Sequence, residues 1–342
     1  MRWNRGCPGR TILQFLFLAL TQAQVFAQTN QLVYRKEYAM GTVFEIAAYS
    51  SSPSLASHAI DKAFVEVIRL DHIMSDYDPS SDLSRINRTA HYRAELVPAD
   101  LYRVIQQSLA YSKLSNGKFD ITVGPLSRLW KKETRGGSSP SAVQLKELLN
   151  CIGWQKVVLV PPDRVEFRSP CMALDLGAIG KGYAVDRAVT VLRSFGVKNA
   201  LISAGGSTIY GMGSPPGLPA WVVHLRDPSK KLSPAVRLNG NSVSTSEQTR
   251  NPRPERTPFG HIIDPVKGIP ITSPYSVSVV ADSATESDAL STTLLLMGPA
   301  EGKAVLQGLP NIAAVWISSR EKSEYISNGP RISMNHLTDT GH

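Results

Sequence analysis

The order of strand-like and helix-like segments is the feature that most limits the fold of this chain. Two β segments flank Met40-Gly41-Thr42, and residues 55–74 repeat apolar side chains at helical spacing. Further helices are predicted over residues 101–114, 183–195 and 283–297, and further strands over residues 157–167, 172–176, 200–210, 221–225, 276–281 and 313–317, the last of the chain. Because these segments lack the regular strand–helix–strand alternation of a parallel α/β protein, we predict an α+β fold.

The composition indicates one folded domain. Hydrophobic residues make up 42% of the chain and charged residues 19%, which provides enough apolar surface for a core and too little charge for a disordered protein. No shift in composition marks a domain boundary, and the polar residues 131–142, rich in glycine and serine, are predicted to form a loop. The net charge of +9 is spread along the chain. It therefore favours an anionic ligand such as a phosphate, and we predict no nucleic-acid partner.

The first 27 residues have the pattern of a secretory signal peptide. A basic start precedes a short apolar stretch over residues 12–20, and the small residues Val25 and Ala27 stand just before Gln28. The stretch is too short to span a bilayer, so we predict an exported protein, periplasmic or in the cell envelope, soluble or loosely membrane-associated. A membrane anchor that stays attached is the alternative. Cys151 and Cys171 remain after cleavage, and a disulfide and two buried thiols are both open.

Residues 173–186 (ALDLGAIGKGYAVD) combine an apolar run, a glycine turn, Lys181 and the start of a helix. Backbone N–H groups at such a helix start, with a lysine nearby, can bind a pyrophosphate. The alternative is a tight turn with a purely structural role.

Residues 286–298 (ESDALSTTLLLMG) follow a capping-box pattern that Ser283 and Glu286 form at a helix start. Asp288 and Thr292 then share one helix face, with Ser291 beside them. A carboxylate with hydroxyl groups suits Mg²⁺, which takes oxygen ligands. The alternative is a solvated first helical turn.

Among the seven histidines, His261 alone is set between a glycine and an Asp-Pro turn, in the segment HIIDPVKGIP. It is either a functional residue or a turn residue that caps its neighbours.

Taken together, these segments resemble the FAD:protein FMN transferase family, the ApbE-type flavin transferases. The resemblance extends over about residues 34–318, nearly all of the predicted mature chain 28–342. Its motifs, in chain order, are Met40-Gly41-Thr42, Ser75-Asp76-Tyr77 with SDLSRIN, GKFDITVGPL, LDLGAIGKGYAVD, Ala204-Gly205-Gly206, Thr245-Ser246, HIIDP and SDALSTTLLLMG.

The resemblance implies a single α+β domain, related to the T-fold, with two lobes around an FAD cleft. It implies a Mg²⁺ site formed by the carbonyl of Ala178 and the side chains of Asp288, Ser291 and Thr292. The residues that fall where the family contacts FAD are Met40, Ser75, Asp76, Tyr77, Phe119, Asp175, Lys181 and Ile262.

The reaction that the resemblance implies splits FAD and attaches FMN by a phosphoester bond to a threonine of a partner protein, with release of AMP. The acceptor would be a membrane redox subunit or an exported flavoprotein. An acceptor hydroxyl needs a base, and His261 is the candidate catalytic residue. Two alternatives are a Mg²⁺-dependent FAD pyrophosphatase, which gives FMN and AMP, and a non-catalytic periplasmic flavin-binding protein.

Overall fold

A computed structural model describes residues 30–136, 138–248, 260–318, 323–327 and 332–336, so the predicted signal peptide lies outside the described residues. The helices are α1 (Pro53–Met74), α2 (Asp82–Thr89), α3 (Ala99–Leu114), α4 (Gly124–Arg135), α5 (Ala142–Cys151), α6 (Gly180–Ser194) and α7 (Ala284–Gln307). The strands are β1 (Gln31–Ala39), β2 (Thr42–Ser50), β3 (Glu95–Leu96), β4 (Val157–Val160), β5 (Arg164–Phe167), β6 (Asn199–Ala204), β7 (Thr208–Met212), β8 (Trp221–His224), β9 (Leu232–Leu238), β10 (Asn241–Glu247), β11 (Ile263–Asp264), β12 (Ile269–Pro270), β13 (Tyr275–Ala281), β14 (Ala313–Ser318), β15 (Ser323–Ser327) and β16 (Ile332–His336).

An eight-stranded antiparallel sheet, in the order β1-β2-β6-β7-β10-β13-β14-β15, forms the centre of the protein. Its strands show the alternation expected of a sheet with a buried face. In β2, for example, Phe44, Ile46 and Ala48 are buried against α1 and α6. On the other face, the three-stranded sheet β16-β9-β8 packs against residues of β10, β13 and β14. Mixed helix and sheet in one structure confirms the predicted α+β class.

Helix α7 begins where the sequence indicated. Ser283 Oγ accepts a hydrogen bond from the N–H of Glu286 at 3.1 Å, and the helical turns before Gly298 pack against β10 and β13. Gly298 has φ 71°, and there the helix bends before it continues to Gln307. Within the described parts of the chain, no helix has the length and apolar character needed to cross a membrane.

A smaller group of elements lies beside the sheet. α4 and α5 pack together around Leu126 and Trp130, and the Trp130 indole N–H donates to the carbonyl of Gly268 at 2.8 Å. A disulfide joins Cys151 at the end of α5 to Cys171, four residues before Asp175. This bond decides between the two alternatives that the sequence left open.

Several predictions of local structure are wrong. Residues 131–142 are not one loop, because α4 continues to Arg135 and α5 starts at Ala142. Residues 200–210 contain two strands, β6 and β7, that are joined by a turn at Gly205-Gly206. β14 is followed by β15 and β16, so it is not the last strand, and α6 begins at Gly180 rather than at residue 183.

Residues 172–176 form no strand beyond one isolated bridge between Val123 and Ala173. The side chain of Asn87 forms hydrogen bonds that a neighbouring strand would otherwise form. Asn87 accepts a hydrogen bond from the N–H of Leu174 at 2.7 Å and donates to its carbonyl at 3.0 Å, and the N–H of Asp175 bonds to the carbonyl of Ile121. The apolar run is buried, as a strand would be. Its backbone N–H and carbonyl groups, however, bond to Asn87 and Ile121 and not to a row of groups on a neighbouring strand.

Candidate functional site

A cavity of about 1020 Å³ opens at the end of the large sheet, where the β1–β2 and β6–β7 turns lie. This volume is at the upper end of the range for small-molecule sites and suits a ligand of dinucleotide size. Apart from Ser291, every site residue predicted from the sequence lines it, namely Met40, Ser75, Asp76, Tyr77, Phe119, Asp175, Ala178, Lys181, His261, Ile262, Asp288 and Thr292. The fold thus brings together segments that are far apart in the sequence.

The site depends on a close contact between α6 and α7. Gly182 donates its backbone N–H to Asp288 Oδ2 at 2.9 Å, and a Cβ at Gly182 would lie 2.2 Å from the carbonyl oxygen of Ala284. Glycine is therefore required for this approach. Asp186, one turn later on α6, accepts hydrogen bonds from the N–H groups of Ala284 and Thr285, each at 2.8 Å. Helix α6 thus fixes the first turn of α7, and Asp288 follows directly after that turn.

Asp288 is a buried carboxylate whose oxygens are held by polar neighbours. Thr208 donates its hydroxyl to Oδ1 at 3.2 Å, and Lys181 Nζ lies 3.8 Å from the same oxygen. Burial raises the pKa of Asp288 above its ordinary value, although Lys181 and the N–H of Gly182 both favour the charged form. A cation that reached this carboxylate from the cavity would offset the cost of burying its charge.

Three hydroxyl groups, from β10 and α7, lie close together near Asp288. Ser246 Oγ lies 3.0 Å from Thr292 Oγ1 and 2.8 Å from Ser291 Oγ. Ser291 is fully buried, donates to the carbonyl of Asp288 at 2.9 Å and does not line the cavity. Its role as a metal ligand stays a prediction, whereas its hydrogen bonds place it behind Asp288 and Thr292 as a support.

The oxygen atoms that Asp288, Thr292 and Ala178 bring to the cavity suit a hard cation. The carboxylate of Asp288 and the hydroxyl of Thr292 both line the cavity, as does Ala178 just before α6. Carboxylate, hydroxyl and carbonyl oxygens are the ligands that Mg²⁺ takes. In the part of the chain that the structure describes, no group of three or more His, Cys, Asp or Glu residues could hold a metal ion.

The predicted FAD contacts come mainly from turns. Met40 sits in the β1–β2 turn with φ 51°, and Asp71 accepts a hydrogen bond from its N–H at 2.9 Å. In the segment after α1, Ser75 Oγ accepts a hydrogen bond from the N–H of Tyr77, whose residue is 71% exposed. Phe119, by contrast, is buried. The cavity wall therefore offers both a fixed apolar surface and an exposed aromatic ring.

Two carboxylates lie in the same wall. Burial, followed by the negative charge of Asp175, raises the pKa of Asp76 above its ordinary value. Asp175 Oδ1 accepts a hydrogen bond from the N–H of Gly177 at 2.9 Å. Lys131 on α4 also lines the cavity, and its charge acts on both carboxylates. Lys131 is not among the site residues predicted from the sequence, because the predicted loop over residues 131–142 hides its helical spacing from the cavity residue Ser127.

His261 lines the cavity, and the residue as a whole is exposed to solvent. The surrounding protein still removes enough water to lower the pKa of His261 below its ordinary value, and the positive charge of Lys181 acts in the same direction. The imidazole is therefore neutral at neutral pH and can accept a proton.

Comparisons with known proteins agree with this geometry. The model of the ApbE family matches residues 40–316. A FAD:protein FMN transferase of Treponema pallidum is 29% identical over 303 residues, which is 83% of this chain and 83% of the relative. One of Klebsiella pneumoniae is 29% identical over 309 residues, 89% of this chain and 94% of the relative.

Solved structures show the same fold. The flavin transferase ApbE from Vibrio cholerae superimposes with a TM-score of 0.78 at 26% identity, over 87% of this chain and 98% of its own. The apo form of the flavinyl transferase ApbE from Pseudomonas stutzeri gives a TM-score of 0.76 at 26% identity, over 88% of this chain and 97% of its own.

Proposed function

The chain belongs to the ApbE family of flavin transferases, and from this premise we propose that it moves the FMN part of FAD onto a threonine of a partner protein in a Mg²⁺-dependent reaction that releases AMP. The observation that carries this proposal is the meeting of Lys181, Asp288 and Thr292 in one cavity of dinucleotide size. A partner outside the cytoplasm, either a membrane redox subunit or an exported flavoprotein, fits the proposed export of the chain.

FAD would lie along the cavity wall formed by Met40, the 75–77 segment, Phe119, Asp175 and Ile262. Its pyrophosphate would then reach Lys181, whose ammonium is oriented by the carbonyl of Gly177 at 3.0 Å and by Asp288 at 3.8 Å. A fixed ammonium at this place binds phosphate oxygens without having to move during the reaction.

Asp288, Thr292 and the carbonyl of Ala178 would hold Mg²⁺, with Ser291 in support. When bound, the ion neutralises negative charge on the pyrophosphate and so makes the departure of AMP easier. The chain contributes the rigid placement of these oxygens, because Gly182 and Thr208 fix the Asp288 carboxylate and Ser246 bonds to the Thr292 hydroxyl.

His261 would act as the base. The acceptor hydroxyl oxygen attacks the phosphorus of the FMN half, the bond from that phosphorus to the bridging oxygen breaks, and AMP leaves. His261 takes the proton of the hydroxyl, for which its lowered pKa keeps the ring neutral. Because residue His261 is exposed to solvent, water could take the place of the acceptor, which is the pyrophosphatase reaction.

One experiment separates these activities. Protein, FAD and Mg²⁺ are incubated with a threonine-bearing acceptor protein, and the acceptor is weighed by mass spectrometry while AMP is followed by chromatography. An acceptor heavier by one FMN, with an equal amount of AMP, is expected. Release of FMN and AMP with no change in acceptor mass would instead show a pyrophosphatase, and intact FAD would show a binding protein.

A further inference from the structure

Lys131 is a cavity residue to which the proposed reaction assigns no role. Helix α4 places Ser127 and Lys131 one turn apart, and both line the cavity. Lys131 is half-buried, whereas its neighbour Lys132 is exposed. A lysine held this deep in a cavity wall gives up part of its hydration, so a partner for its charge is expected.

One partner of the Lys131 ammonium is the hydroxyl of Tyr77. Nζ donates to Tyr77 Oη at 2.5 Å and lies 4.6 Å from the centroid of the same ring. Within the described residues, no carboxylate comes within 4.0 Å of Nζ to form an ion pair. An ammonium has three N–H donors, so two remain for a ligand once Tyr77 has taken one.

The surroundings keep Lys131 charged. Burial alone would lower its pKa, but the Tyr77 hydroxyl and the negative charge of Asp175 outweigh burial and raise the pKa of Lys131 above its ordinary value. Lys131 and Lys181 also both lower the pKa of His261, so the two ammonium groups act on the same ring. Lys181 already has an anionic partner, Asp288, and donates to the carbonyl of Gly177. Lys131 has no such anionic partner within 4.0 Å among the described residues.

We propose that Lys131 is a second anion-binding side chain of the cavity, which pairs with a phosphate oxygen of the bound nucleotide while the Tyr77 hydroxyl holds its ammonium in place. The inference rests on the proposed function for the identity of the nucleotide, FAD. A different role would be to offset the charges of Asp76 and Asp175 without touching the ligand, and the experiment below separates the two.

The test measures binding in the absence of any acceptor. FAD and riboflavin are titrated by flavin fluorescence against the wild type, Lys131→Met, Lys131→Arg and the matched control Lys132→Met, each checked for an unchanged unfolding midpoint. A hydrogen bond to a charged group contributes about 1.5–3 kcal/mol, so Lys131→Met should weaken FAD binding about 10- to 100-fold. Riboflavin has no phosphate, and its binding should not change.

Two further readouts sharpen the result. Lys131→Arg should retain most of the FAD affinity, because it keeps the charge, and Lys132→Met should bind both ligands as the wild type does. FAD affinity should also fall less steeply with NaCl concentration in Lys131→Met than in the wild type, because the variant has one fewer charge pair with the ligand for salt to screen. Lys131→Gln takes the place of Lys131→Met if the latter does not fold.

Unchanged FAD affinity in Lys131→Met would overturn the inference. So would an equal loss for FAD and riboflavin, which would indicate that Lys131 only balances Asp76 and Asp175. A failure of the proposed function would give a different result: the wild type would bind FAD but would add no mass to the acceptor.

Discussion

Replacement of Gly182 by alanine tests directly how α6 and α7 build the site. The new Cβ would lie 2.2 Å from the carbonyl oxygen of Ala284 and 2.7 Å from the Cβ of Asp288. Neither atom is the free end of a flexible side chain, so rotation of a side chain cannot relieve the overlap. The two helices would have to separate by about 1 Å to restore van der Waals distances.

This displacement sets the size of two effects. Overpacking of a well-packed interior costs about 1–3 kcal/mol, and the free energy of unfolding should fall by that amount. The same movement lengthens the hydrogen bond from Gly182 to Asp288, which is 2.9 Å in the wild type. A misplacement of about 1 Å in a site commonly costs ~10²-fold in rate, so FMN transfer should fall to that extent even at saturating Mg²⁺.

Urea denaturation and the transfer assay measure the two effects on the same preparation. Gly180→Ala is the matched control for stability, because it lies on the same helix and its Cβ would meet no atom closer than Leu176 Cβ at 4.0 Å. It should unfold at the wild-type urea concentration or slightly above it, because alanine favours a helix more than glycine does. If Gly182→Ala also unfolds there and transfers FMN at the wild-type rate, the helices are not in this contact and the reasoning is refuted.

Four other predictions concern the site and the chain around it. Asp288→Ala should lower FMN transfer by at least ~10²-fold; unchanged turnover at limiting Mg²⁺ would place the metal elsewhere. With His261 as the base, kcat/KM should rise with pH through a value below the ordinary histidine pKa, because partial loss of hydration and the charge of Lys181 lower the pKa of His261 in the free protein. A retained acidic limb in His261→Ala would exclude this role. Reduction of the disulfide between Cys151 and Cys171, which are 20 residues apart, should lower the free energy of unfolding by about 3 kcal/mol in urea titrations; an unchanged midpoint would contradict this. Intact-mass measurement of exported protein should show an N-terminus near Gln28, and retention of residues 1–27 would argue against a signal peptide.

The sequence was sufficient where local rules decide the structure. Helix α7 was predicted from the Ser283 and Glu286 pattern, and that hydrogen bond is present at 3.1 Å. The placement of Asp288 and Thr292 on one face followed from helical spacing alone. Both line the cavity.

Long-range contacts decide the features of the fold and the site that local sequence patterns cannot predict. Residues 172–176 looked like a strand, but the hydrogen bonds that a strand would make go to the side chain of Asn87, which is 87 positions away from Leu174. The glycine and serine residues that follow Lys131 predict a loop there, whereas the position of Lys131 in the cavity depends on the packing of α4 around Trp130. No pattern within one segment contains these pairings.

The start of α6 offers fewer free backbone donors to a phosphate than its sequence suggests. The sequence suggested that backbone N–H groups at this helix start could hold a pyrophosphate. However, the N–H of Gly180 bonds to the carbonyl of Leu176 at 2.8 Å, and the N–H of Gly182 is given to Asp288. A backbone donor that already holds a carboxylate cannot also bind a phosphate without releasing it. Lys181, and by our inference Lys131, would supply positive charge to an anionic ligand from the cavity wall, while the N–H of Gly182 serves to position Asp288.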